Sequence, residues 1–230
     1  MDQRFLDETV CRKPELFKAM VDFNRSRQEQ DKELSLPSLG ALGNALLRDP
    51  YVRKAMGKDS DRGRSDGWWD FSDETFRLLL IENITLKRAA LSFSAAVYAE
   101  ELALVLDRGL VLDLRSLLGE DIFTYALRRG RYQIGSLRGF LTSQLPTGSL
   151  TERIALLASS VLIRLADAWP EQLQSLWTAK LRDSGLISHA ADGAENALAP
   201  LSREQRRALW FTFKKLLLRE AAPQWAPCFD

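Results

Sequence analysis

The sequence predicts an all-α fold, a single compact multi-helix domain with a flexible loop near residues 57–67. Three observations lead there. Apolar residues recur at helical spacing along most of the chain. Capping residues and acids open these runs, while glycines or prolines close them. No stretch alternates apolar and polar side chains as a half-buried strand would, and there is no fixed-period repeat.

Pro14 suits the first position of a helix through ELFKAMVDFNRSRQ, where Leu16, Phe17, Met20 and Phe23 share a face. After the charged bridge EQDKE, LPSLGALGNALL is a second helix weakened by Gly40 and Gly43, and YVRKAMGK adds one or two turns. Residues 57–67, GKDSDRGRSDG, hold three glycines and eight charged or serine residues, a loop with nothing to bury. One domain is expected. The alternative separates a small N-terminal lobe, 1–56, from a main helical body, 68–230.

Beyond the loop, SDETFRLLL begins with Ser72 as N-cap and acids in the first turn. TLKRAALSFSAAVYAEELALVLD places Leu86, Ala89, Ala90, Phe93 and Val97 on one side among many alanines and serines, the composition of a closely packed central helix. LVLDLRSLLG stops at Gly119, and EDIFTYALRRG runs from acids to arginines and stops at Gly130, a charge order that suits the helix dipole. Ser149 or Thr151 caps SLTERIALLASSVLIRLADAW, which is apolar over much of its circumference. Pro170 starts PEQLQSLWTAKLRDSG, which ends on Gly185; Ser202 caps a last helix that halts before Pro223.

Composition narrows the function. At 230 residues the chain can bury roughly 70–75% of its unfolded surface. With 32 Lys and Arg against 31 Asp and Glu, net charge gives no reason to expect a nucleic-acid partner. Cys11 and Cys228 have no metal-site spacing and are expected to be reduced. No apolar run approaches the roughly 18 residues of a membrane span, and the acidic beginning is unlike a secretory signal. A cytoplasmic location without membrane insertion is therefore expected.

Catalysis finds little material. The sole histidine, His189, lies in a polar link, no phosphate-binding loop is present, and the pairs Glu100-Glu101 and Glu120-Asp121 suit helix termini. No enzyme, cofactor or metal is expected. Arg128, Arg129 and Arg131 with Tyr132 are the positions a nucleic acid would use, although the first two also sit where a helix C-terminus favours cations. A small-ligand regulator with a pocket between central helices is the other alternative.

The last helix is more informative. Leu209, Phe213 and Leu216 line one face, with Trp210 and Leu217 beside them, while Phe211 and Leu218 point nearly opposite. Arg207 and Lys214 lie on one flank and Lys215 and Arg219 on the other. Such a helix is either wedged between others or docked on the core by one stripe and on a partner by the second. Phe211, Lys215, Leu218 and Trp225 are accordingly candidates for partner binding, and Trp68-Trp69 for another interface or for a plug closing the core. The tail PQWAPCFD is expected to dock on the core, since its prolines lower the entropy of fixing it.

LKRAALSFSAAVYAEELALVLDRGLVLDLRSLLGEDIFTYALRR, residues 86–129, and LWFTFKKLLLREAAPQWAPCFD, residues 209–230, resemble the SctK or YscK family of type III secretion accessory proteins. The matched features are a small-residue helix ending near LD, then LRSLLGED with a short aromatic helix and arginines, and a basic-aromatic last helix running into PQWAPCF. Together they span about a quarter to a third of the chain. The resemblance implies a non-enzymatic adaptor of the injectisome sorting platform, peripheral to the cytoplasmic face of the bacterial inner membrane. It would link the SctQ-type pod protein, with its SctL-type stator and ATPase, to the SctD-type ring protein.

Overall fold

The computed structural model describes residues 3–34, 68, 70–145, 148–186 and 198–229. The helical stretches expected within 36–58, the 57–67 loop, Trp69 and His189 lie outside them. All regular elements among the described residues are helical, so the chain is all-α. They fall into two compact units, Met1–Asp73 and Glu74–Asp230.

In the first unit, α1 (Gln3–Arg12) and α2 (Pro14–Leu34) follow each other closely, with the Lys13 N–H donating to Thr9 O at 2.9 Å. Pro14 opens α2 as expected, because a first helical residue needs no N–H partner. Helix α1 escaped the sequence reading. Leu16 and Met20 are buried, and Phe23 meets Phe71 edge-on at 5.8 Å. The Asn24 amide donates to Met20 O and, 44 residues on, to Trp68 O at 2.9 Å, which ties the end of this unit to its helix.

Glu74–Leu80 is a 3-10 helix rather than an α-helix capped at Ser72. The Ser72 N–H and hydroxyl both donate to Asp70 Oδ1, at 3.2 and 2.6 Å, a local turn that competes with capping. Helix α3 (Asn83–Val97) is central, as its composition suggests: every residue from Ala89 to Val97 is buried, so it has no solvent side over that length. It does not continue to residue 107. The chain breaks at Tyr98 (φ −91°, ψ 13°) into the short α4 (Ala99–Leu104).

Asp107 caps α5 (Arg108–Arg128) by accepting from the Leu110 N–H at 2.7 Å. Gly119 breaks α5 with φ 77° and ψ 157°, a conformation essentially closed to other residues. Gly130 has a different role from the stop expected of it. A Cβ there would lie 3.0 Å from both Cα and Cβ of Ala96, so its bare backbone lets the Gly130–Tyr132 turn touch α3. Helix α6 (Leu137–Gln144) lies in a stretch whose arginines and glycines hid it. Helix α7 (Leu150–Leu165) starts with a capping box between Ser149 and Glu152, which settles the choice of cap.

Pro170 precedes α8 (Glu171–Asp183), and Gly185 follows it at φ 68°. Trp177 of α8 donates its indole N–H to Leu162 O at 2.9 Å, filling the space against α7 without leaving its polar atom stranded. Lys180 Nζ donates to Leu79 O and Ile81 O, at 2.7 and 2.5 Å, and so satisfies carbonyls at the end of the first 3-10 helix. Burial lowers the Lys180 pKa to about 8, against an opposing pull from Glu82.

That shift has a signed consequence. The unfolded chain keeps the Lys180 proton up to the ordinary 10.5, whereas the folded chain releases it from about 8. Between these values the unfolded state binds more protons, so stability rises with pH. Urea unfolding of wild type and Lys180→Met across this range is expected to show the wild type gaining relative to the variant. A pH-independent difference would contradict the assignment.

Candidate functional site

Helix α9 (Arg203–Leu216) is anchored at its start by a capping box. Ser202 Oγ accepts from the Gln205 N–H at 3.2 Å while Gln205 Oε1 accepts from the Ser202 N–H at 2.9 Å. Its inner stripe is Leu209, Phe213 and Leu216, each no more than 1% exposed. Phe213 meets Phe93 of α3 at 5.9 Å between ring centroids. This stripe is the one its i, i+4, i+7 spacing predicts.

Past Leu216 the helix widens into a π turn, Leu217–Ala221, closed by the Ala222 N–H donating to Leu217 O at 2.7 Å. Pro223–Cys228 is then a 3-10 helix that returns along the core. Cys228 and Phe229 are buried, and Phe229 approaches Trp210 at 6.1 Å. Two cations hold this segment by its carbonyls. Arg77 Nη1 donates to Cys228 O at 2.7 Å, and Lys214 Nζ donates to Phe229 O at 2.7 Å while pairing with Glu74 at 2.8 Å. Lys214, which the sequence places between the two apolar stripes, is thus a structural bridge. Trp225 is half-buried, between the two roles considered for it.

The outer side of α9 is different. Phe211 is 70% exposed. Lys215 is exposed beside it and Leu218 is half-buried on the π turn. Arg207 and Arg219 are also exposed, so Arg207, Phe211, Lys215 and Arg219 form a stripe at four-residue steps. Of the partner-binding candidates, Phe211, Lys215 and Leu218 therefore fall on one side of α9 and the π turn that continues it. Trp68 lies in the other unit, half-buried, with its indole N–H donating to Asp70 O at 2.6 Å.

Arg128, Arg129 and Arg131 are exposed at the end of α5 and the turn after it. Arg131 lies over the ring of exposed Tyr132 at 4.5 Å, and Arg138 donates to Arg131 O and to Glu100. The aromatic face available for base stacking is thus already covered on one side by a cation of the chain. Among the described residues no group of three His, Cys, Asp or Glu is placed to hold a metal ion, and no helix is long and apolar enough to cross a membrane.

A second apolar surface was missed. Leu104, Leu106 and Leu112 are 78%, 95% and 56% exposed around the α4–α5 corner. TLKRAALSFSAAVYAEELALVLD reads as one helix, but α4 stops at Leu104 and Asp107 starts a new helix, which leaves Leu106 on the connection. An acidic cap directly inside a leucine run was the available signal.

Comparison with protein-family models, curated proteins and solved structures gives no match. The two faces of α9 predict opposite phenotypes. Phe213→Ala is expected to cost about 3–5 kcal/mol by opening a cavity beside Phe93. Phe211→Ala should change stability by no more than about 0.5 kcal/mol. Denaturant unfolding of both variants checks this, and equal losses would contradict the assignment of the two faces.

Proposed function

We propose that the chain is a non-enzymatic adaptor of a type III secretion sorting platform, of the SctK or YscK kind. In that role it links the SctQ-type pod protein, and through it the SctL-type stator and ATPase, to the SctD-type inner-membrane ring. It works by placement at the cytoplasmic face of the membrane, holding a pod against the ring, and performs no chemistry.

One observation supports this reading above the others. The two blocks that resemble the family, residues 86–129 and 209–230, are packed together. Phe93 and Phe213 stand 5.9 Å apart, and Tyr125 donates to Gln133 at 2.8 Å, which in turn donates to Glu220 at 3.4 Å. A resemblance split across the sequence is thus continuous in space. Upon this paired unit sits the exposed Phe211 face, suited to a protein contact by its large aromatic anchor.

The test is purification of the tagged protein from its own cells at low and high salt, followed by mass spectrometry. The adaptor reading predicts a pod protein together with stator or ring components at both salt concentrations, and loss of one of them from Phe211→Ala. Recovery of nucleic acid that disappears at high salt, without secretion components, would overturn it and direct attention to Arg128, Arg129 and Arg131.

A further inference from the structure

The outer stripe of α9 also carries information about the chemistry of what docks there. Elsewhere in the second unit four arginines pair with acids, Arg88 with Asp121 at 3.7 Å, Arg115 with Glu120 at 3.4 Å, Arg153 with Glu101 at 2.5 Å, and Arg138 with Glu100, while other exposed cations, Lys87, Arg108 and Arg182 among them, do not among the described residues. Arg207, Lys215 and Arg219 make no ion pair among the described residues. Of the two acids on the same helical run, Glu220 accepts from Gln133, and Glu204 lies two turns from Phe211 in the first turn.

The helix dipole does not explain the pattern. It favours Lys215 and Arg219 near the C-terminal end, but Arg207 lies past the first turn, beyond its reach. What unites the cations is their position around Phe211: Arg207 one turn before it, Lys215 one turn after it and Arg219 two turns after it, with Leu218 half-buried beside them. An exposed aromatic ringed by uncompensated positive charge is complementary to an apolar anchor flanked by carboxylates.

We infer that the Arg207–Phe211–Lys215–Arg219 stripe receives an acidic, amphipathic segment of a partner protein, an apolar side chain packing on Phe211 and Leu218 and Asp or Glu meeting the three cations. This rests on the reading of the α9 face as a protein-docking surface, and it adds the sign and character of the occupant.

The probes are synthetic peptides of about 18 residues, five helical turns, measured by fluorescence anisotropy against the full chain. One carries Glu with Leu at helical spacing, one replaces Glu by Lys, and one keeps Glu but replaces Leu by Ser. The first is expected to bind best, more weakly as salt rises. Phe211→Ala and the double variant Arg207→Glu/Lys215→Glu should each weaken it by roughly tenfold or more, with thermal unfolding confirming that both variants remain folded. No preference between the Glu and Lys peptides, or binding unchanged in the folded variants, would overturn the inference. So would a duplex DNA that binds with sensitivity to the double variant but not to Phe211→Ala, or self-association that Phe211→Ala abolishes. Peptide binding without secretion components in the cellular purification leaves the acidic occupant standing and removes the adaptor role. Loss of the pod protein from Phe211→Ala without peptide preference does the reverse.

Discussion

The second unit depends on how closely its helices can approach α3. Nine consecutive buried residues, Ala89 to Val97, leave that helix no face for solvent, so its neighbours must fit around a thin cylinder. Ala89, Ala90, Ser92, Ser94, Ala95 and Ala96 make this possible by keeping the side-chain layer shallow. At Ala96 the approach reaches backbone, where a Cβ on Gly130 would lie only 3.0 Å from the Ala96 Cα. Dense packing of this type yields little when atoms are added. Phe93, the one large ring on this stretch before Tyr98, is where α9 attaches through Phe213.

From that attachment the outer face follows. Once Leu209, Phe213 and Leu216 are committed to the core, a 3.6-residue period turns Phe211 outward. The segment after α9 is then held by carbonyl contacts with Arg77 and Lys214, so the aromatic and sulfur-bearing side chains at 228–229 are withdrawn from any interface. Phe211 and its cations are left as the exposed part of an otherwise occupied helix. The proposed adaptor role uses this division, in which one stripe fixes the helix and the other is free to select a partner.

Much of this was legible in the sequence because it is local. Ser149 and Ser202 act within three residues, Pro14 and Gly119 act on their own backbone, and the two stripes of α9 follow from its period. What was hidden is set by distance or competition. Asp70 takes the donors of Ser72, Arg77 reaches a carbonyl 151 residues away, and Gly130 is required by Ala96 rather than by a helix end. Lys214 and Lys215 are adjacent and chemically identical in sequence, yet one bridges Glu74 to Phe229 O and the other faces solvent. The leucines at 104, 106 and 112 are exposed around a break that the apolar spacing does not announce: Leu104 ends α4, Leu106 lies on the connection and Leu112 lies near the start of α5.

The most direct measurement is urea unfolding of Ala96→Leu beside Ala103→Leu, the second an exposed alanine of α4. Close approach to α3 predicts that Leu at 96 collides with the Gly130 backbone and costs roughly 1–3 kcal/mol or more, while Leu at 103 leaves stability nearly unchanged. Equal unfolding midpoints for the two variants would contradict a packing built on the small residues of α3.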